Sequence, residues 1–294
     1  MNYIDLEGNK IEDTAEEEKL LNFLYTNPLG RILLKPLVRP AISKLAGKFL
    51  STRFSTRLIG SFIKKNHIGM KQYEATTYHS FNEFFTRKMK KGYRPFSGNP
   101  DILISPCDCK ATVYPIRENT TFSVKHTEYT LRSLLRSRKL AKRFQGGYAY
   151  ILRLTVDDYH RYIYAASGKQ SKSYRINGTF HTVNPVANDY LPIYKENTRE
   201  YTVIHTREFS DIVQMEVGAL LVGKIKNHKH SCHVHRGEEK GYFEYGGSTI
   251  ILLTMKDTVL PRKDLLTNTA EGYETRLLQG HPLGTSTASP TALE

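Results

Sequence analysis

The chain has 294 residues, enough for one large domain or two small ones around a substantial core. A hydrophobic share of 39% and a charged share of 24% exclude general disorder. Lys and Arg number 43 against 29 Asp and Glu, and a net charge of +14 favours an anionic partner, either nucleic acid or an acidic membrane.

The first residues, MNYIDLEGNKIEDTAEEEK, are acidic and polar and do not read as a signal peptide. Between Glu18 and Glu74 there is no acidic residue, yet there are eleven Lys or Arg. Arg31, Lys35, Arg39, Lys44, Lys48, Arg53 and Arg57 recur at helical spacing among Leu33, Leu34, Leu37, Ile42, Leu45, Phe49 and Leu58. Pro36 and Pro40 divide this stretch into at least two helical segments. Basic amphipathic helices of this kind lie in a lipid interface, apolar side down, with cations among the head groups. The plainer alternative is a solvated face, but such a face usually mixes both signs of charge. Nucleic acid is disfavoured because stacking aromatics are sparse here and no helix-turn-helix or zinc-finger spacing appears.

From about residue 100 the texture changes to short β-type runs: 101–105, 111–116, 148–155, 174–181, 201–205, 212–217, 219–225 and 249–254. One helix is expected over Thr130–Arg143. The expected fold class is α+β, with basic amphipathic N-terminal helices plus a mostly antiparallel β core. The expected division is a helical membrane-associating region over 1–70, a core over 71–275 and a disordered tail over 276–294, rich in Gly, Ser, Thr and Pro. No run of about 18 apolar residues is present. The odd set Cys107, Cys109 and Cys232 fits a reducing compartment. A protein at the cytoplasmic face of the membrane, bound peripherally, is expected.

The chemistry-bearing segment is GYFEYGGSTIILL, residues 241–253. Gly246 and Gly247 in mid-strand mark a bulge, a bend or a close approach, and a serine after such a pair, Ser248, could aim its hydroxyl at the preceding carbonyl carbon. A plain bulge with a structural serine is the competing explanation. In LRLTVDDYHRY, Asp158 and His160 end a strand, and a histidine is the natural base for activating a serine. ISPCDCK puts Asp108 in a Pro-containing turn. The run NHKHSCHVH, with His228, His230, Cys232, His233 and His235, lacks the paired spacing of structural zinc, so no metal is expected.

Seven segments in order carry a resemblance: SFNEFFTRKMKKGYRPF (80–96), SPCDCK (105–110), RLTVDDYHRY (153–162), TVNPVAND (182–189), ENTRE (196–200), EVGALLVGKI (216–225) and KGYFEYGGST (240–249). From about Leu20 to Tyr273 the chain resembles the phosphatidylserine decarboxylase family, in the form with two glycines found in clostridia-type bacteria. The resemblance implies self-cleavage between Gly247 and Ser248, giving a β chain of 1–247 and an α chain of 248–294. Ser248 would be the nucleophile, His160 the base and Asp108 the carboxylate supporting it. The peptide becomes an ester, elimination frees the upstream chain, and the remaining dehydroalanine hydrolyses to ammonia and the pyruvoyl cofactor. That ketone is an electron sink for decarboxylating phosphatidylserine to phosphatidylethanolamine, and His160 is a candidate proton donor in that step.

The family implies partners as well: phosphatidylserine in an anionic membrane, the cleaved α and β chains held together, and a homodimer. Two departures stand out. Ile163 occupies the place of a second family histidine, for which His181 is a candidate substitute, and CDCK replaces the more frequent ADG. Arg199 in ENTRE and His181 are candidate substrate-binding residues. Competing functions are a pyruvoyl-dependent decarboxylase of a soluble amino acid and a non-catalytic lipid-binding relative.

Overall fold

The computed structural model describes residues 2–12, 23–37, 40–124, 127–179, 193–219, 224–246 and 248–288. Its centre is built from strands β1 (Cys109–Pro115), β2 (Tyr148–Leu154), β3 (Arg161–Ile163), β4 (Arg199–His205), β5 (Asp211–Gly218), β6 (Glu239–Phe243), β7 (Ser248–Thr254) and β8 (Glu274–Leu277). Among the described residues the main sheet has eleven strands, with the run β4-β5-β7-β2-β1-β8 at its centre. Within that run every neighbouring pair is antiparallel, so the fold class is α+β with a mostly antiparallel core, as the sequence predicts.

Every residue of β5 and β7 is buried, because both sheet faces are covered. That explains why STIILLT reads as an almost continuous apolar run rather than an alternating one. Alternation still sorts the side chains: Ser248, Ile250, Gly218, Glu216 and Gln214 share one face through their register. The small sheet of Ile225–Asn227, β6 and β3 covers that face through polar contacts. Gln214 donates to the Ile163 carbonyl at 3.0 Å, and Lys240 pairs with Glu216 at 2.7 Å with both side chains buried.

The basic segment forms helices α1 (Pro28–Leu37), α2 (Pro40–Leu50) and α3 (Arg57–Lys65). Pro40 opens α2, where its missing N–H costs nothing, whereas Pro36 sits in the last turn of α1. These helices dock on the short helix α4 (Phe81–Phe85). Ser55 Oγ accepts from Phe81 N at 2.9 Å, and Asn82 Nδ2 donates to Ser51 Oγ at 2.8 Å and to the Gly47 carbonyl at 3.2 Å.

Several expectations need correction. The helix over 130–143 is two, α5 (Leu131–Leu135) and α6 (Arg138–Arg143), parted where Arg136 turns left-handed at φ 53°. Each has its own cap: Thr130 accepts from Ser133 N and Ser137 from Leu140 N. The run 174–181 is a strand only over Tyr174–Ile176, with 180 and 181 outside the described residues. Of the run 219–225, Ile225 opens the strand Ile225–Asn227, Ala219 and Lys224 are in no strand, and 220–223 lie outside the described residues.

The tail is not disordered from 276. Glu274–Leu277 pairs with β1, and Pro282–Ser286 lies between Ile102–Ile104 and Val259–Pro261. Leu277 and Leu283 are buried there, so apolar burial holds a segment whose composition suggests a linker. Nor is 1–70 wholly helical. Tyr3–Ile4 pairs with β8, and Lys10–Ile11 pairs with Tyr3–Ile4.

Arg153 of β2 makes a two-pronged ion pair with Glu274 of β8, both side chains almost wholly buried. Removing one partner of such a pair strands a buried charge. Glu274→Ala is expected to lower unfolding stability by about 3–5 kcal/mol in urea titrations followed by tyrosine fluorescence. A loss below about 1 kcal/mol would show that water reaches Arg153.

Candidate active site

Ser248 is the first residue of β7, opposite Leu154 of β2 and Gly218 of β5. It is 0% exposed, and among the described residues its hydroxyl has no hydrogen-bond partner. Two residues earlier Gly246 adopts φ 129°, a conformation that side-chain-bearing residues rarely adopt. Gly247 lies outside the described residues.

His160 reaches the same region by topology. β2 pairs with β7 up to Leu154–Ser248, while β3 pairs with β6 at Tyr162–Gly241 and the His160 carbonyl accepts from Phe243 N at 3.0 Å. Residues 155–160 and 244–246 therefore lie between the same two pairs of strands. His160 Nδ1 lies 2.9 Å from the Asp158 carbonyl. A carbonyl only accepts, so Nδ1 carries the proton and Nε2 keeps its lone pair. Nε2 is buried and unpartnered, as is the Ser248 hydroxyl. Burial, opposed by the Asp158 carbonyl and aided by the charge of Arg87, drives the His160 pKa down to about 4. The imidazole is thus neutral throughout the physiological range, with its lone pair free at Nε2.

Phe85 of α4 packs on the imidazole at 4.2 Å between ring centroids, and Tyr245 packs on Phe85 at 5.1 Å. Phe62 of α3 reaches Tyr245 at 6.5 Å, and Tyr245 N donates to Asn82 Oδ1 at 3.3 Å. The basic helices therefore touch the segment that leads into Ser248.

Asp108 is buried near this region but is not on the imidazole. Its two oxygens take Arg94 Nε at 2.8 Å and Nη2 at 2.6 Å, and Oδ1 also accepts Gln279 N at 2.8 Å. The carbonyl of Asp158 holds the position expected for the Asp108 carboxylate, since the tight turn after β2, closed by Asp158 N on the Thr155 carbonyl at 3.0 Å, brings it to Nδ1. Asp108 acts on His160 only through its charge, as a minor influence raising the pKa. The Asp158 carboxylate is likewise occupied, by Thr155 N and Oγ1 at 2.7 and 2.9 Å and by Arg276 at 2.5 Å.

Arg199 is not available to a substrate. Its guanidinium is buried and donates to the carbonyls of Ser133, Leu134, Lys195 and Asn197 at 2.7–2.9 Å, tying β4 to α5. His181 lies outside the described residues. In the histidine-rich run, His228 bonds Glu239 at 2.7 Å, and among the described residues no group of three or more metal-ligating side chains forms. Sequence reasoning missed Arg94, Arg276 and Phe85. Arg94 and Phe85 fall within the segment SFNEFFTRKMKKGYRPF, and Arg276 follows no motif.

Fold and site are those of an α+β protein that holds a buried serine and a neutral imidazole at one end of its central strands. Residues 81–273 match the phosphatidylserine decarboxylase family. The phosphatidylserine decarboxylase proenzyme 2 of Clostridium acetobutylicum is 43% identical over 265 residues, covering 90% of this chain and 91% of that protein. Proenzymes of the same description from Clostridium botulinum (strain Langeland) and Clostridium tetani are each 38% identical, over 273 and 272 residues, covering 91% of this chain and 92% of theirs. The chain belongs to the phosphatidylserine decarboxylase family.

The depressed pKa of His160 makes stability depend on pH. Unfolded histidine titrates near 6.5 and the folded group near 4, so between these values the unfolded chain binds more protons. The contribution is whole above pH 6.5 and is lost as pH falls toward 4, by about 3 kcal/mol. In Ser248→Ala protein, urea midpoints should fall across this window, and adding His160→Gln should flatten the slope. Equal slopes with and without His160 would count against a buried neutral imidazole.

Proposed function

We propose that this chain is the precursor of a phosphatidylserine decarboxylase, a carboxy-lyase that forms phosphatidylethanolamine and carbon dioxide after cutting itself at Gly247–Ser248. The observation that carries the reading is the buried, unpartnered Ser248 hydroxyl at the start of a central strand, with an unpartnered basic imidazole nitrogen in the adjoining turn. Ser248 Oγ attacks the Gly247 carbonyl carbon and the peptide becomes an ester. His160 Nε2 accepts the hydroxyl proton, which passes to the departing Ser248 nitrogen. Gly246, at φ 129°, supports the bend that such an attack needs. Asp108 and Asp158, each bound to an arginine, surround the imidazole without competing for its Nε2.

The residues fit a pyruvoyl group at position 248, since the serine that would become it is desolvated and makes no bond that the change would break. When formed, that group supplies an electron sink for loss of carbon dioxide from an amine-bearing substrate. The chain's own residues hold the site dry and keep His160 neutral, ready to carry a proton.

The lipid substrate is favoured over a soluble amino acid by the basic helices. Leu29, Ile32 and Leu33 on α1, Leu45 and Phe49 on α2, then Phe54 and Leu58 stand exposed, Phe54 at 72%. Lys35, Lys48, Arg53, Arg57, Lys64 and Lys65 are exposed among them. Exposed apolar side chains at i, i+3 and i+4 with cations interspersed suit peripheral binding at an anionic membrane. No described helix is long and apolar enough to cross a membrane.

Intact-mass spectrometry tests the cleavage. The purified protein should give pieces 1–247 and 248–294, the second with a carbonyl-reactive N-terminus, while Ser248→Ala should remain whole. A single full-length mass for both would favour the non-catalytic lipid-binding reading. Flotation with vesicles rich in phosphatidylserine tests the docking. The protein should float, and Leu45→Asp/Phe49→Asp/Phe54→Asp should stay at the bottom while still cutting itself. Equal flotation of both would place docking elsewhere.

A further inference from the structure

Arg87 is among the largest wholly enclosed side chains, 2% exposed, and among the described residues it forms no ion pair. Its Nη2 donates to Tyr73 Oη at 3.2 Å, and its Nη1 reaches the carbonyls of Phe84 and Phe85 only at 3.5 Å each. Its Nε has no partner. The rings of Tyr73 and Phe84 flank it at 4.2 and 5.0 Å. A guanidinium taken out of water without a counter-ion costs several kcal/mol, and proteins seldom keep one without a use.

The two nearby buried carboxylates are already spent. Asp108 belongs to Arg94 and Asp158 to Arg276, which leaves the charge of Arg87 over. Asp157, whose charge also reaches His160, is exposed. Arg87 stands beside the proposed site: Phe85, two residues before it, packs on His160, and the charge of Arg87 is felt there. The hydroxyl of Tyr78, close enough to sense Arg87, is buried and unpartnered as well. Both sit with the aromatic cluster that α3 contributes to, between the exposed basic helices and Ser248.

We infer that Arg87 receives the phosphodiester of the lipid head group, an inference that rests on the decarboxylase reading. Two spare N–H directions, on Nε and Nη2 of a flat guanidinium, match two phosphate oxygens, and Tyr78 Oη adds a donor. The other anion on the substrate, its carboxylate, fits less well. Its negative charge must leave as carbon dioxide forms, so a cation fixed upon it would hold the ground state against the reaction. The phosphate keeps its charge throughout. Arg87 thus fills the role for which Arg199 is unavailable, and it enters the site from the side of the membrane helices.

The test uses processed full-length protein and a short-acyl phosphatidylserine in micelles. Arg87→Gln should cut itself normally, raise KM by about tenfold or more and change kcat by less than about threefold, as loss of a charge-assisted contact implies. Phosphoethanolamine should inhibit the unaltered enzyme competitively, ethanolamine at the same concentration should not, and Arg87→Gln should lose the difference. Arg87→Lys should keep part of it. An unaltered KM in processed Arg87→Gln would overturn the proposal, as would equal inhibition by the two amines. Failure of both variants to cut themselves would also overturn it, because a substrate contact is not needed for cleavage and the arginine would then be structural. Absence of carbon dioxide from the unaltered protein would instead refute the decarboxylase reading.

Discussion

Ser248 opens a strand that is hydrogen-bonded on both edges, to Tyr148–Leu154 on one side and to Asp211–Gly218 on the other, and the rest of the site takes its position from that register. A slip of one residue would turn the hydroxyl to the opposite face. With every residue of the strand buried, such a slip would also bring Thr249 to the face lined by Gln214 and Glu216. The register also sets the gaps in which 155–160 and 244–246 lie, which is how an imidazole and a serine far apart in sequence come to the same end of the sheet. If the chain is cut at Gly247–Ser248, the strand that would begin the new piece is gripped from both sides and cannot leave without opening the sheet.

Buried charge is the second constraint. Arg94–Asp108, Arg276–Asp158, Arg153–Glu274 and Lys240–Glu216 are all paired with little or no exposure of the carboxylate. Pairs of this kind contribute little net stability, since desolvation offsets attraction, but they penalise any arrangement that separates them. Two of them, Arg276–Asp158 and Arg153–Glu274, join residues on opposite sides of position 247. They therefore add specificity to the same association that the central strand enforces. Among the described residues two buried guanidiniums have no carboxylate: Arg199 is satisfied by four carbonyls at 2.7–2.9 Å, whereas Arg87 keeps an unpartnered Nε beside the candidate site.

The aromatic contacts give the basic helices a second connection besides surface chemistry. Phe62 belongs to α3, Phe85 covers His160, and Tyr245 precedes Ser248 by three residues, all in one cluster. The basic helices and the candidate site are thus packed against each other rather than joined by a linker, and Asn82 adds a hydrogen-bonded bridge between α2 and Tyr245.

Much of this was legible in the residues alone. Strands such as YAYILRL and STIILLT announce themselves because both faces are buried and the apolar run is nearly unbroken. The cationic helices show in their spacing, and the glycine pair before Ser248 signals a bend, which at Gly246 is a backbone of φ 129° that side chains rarely permit. Local signals failed where tertiary contacts compete with them: Ser137 recaps a helix that propensity alone would continue, and burial of Leu277 and Leu283 orders a segment of linker-like composition. The chain by itself determined most of the strands, the basic helices and the family, and it singled out Ser248 and His160 as candidates. Only the tertiary structure decided which carboxylate meets which cation. Asp108 finds Arg94 rather than His160, Arg199 clamps carbonyls, and Arg87 is left unpaired, because charge pairing depends on distances between segments that sequence order does not contain.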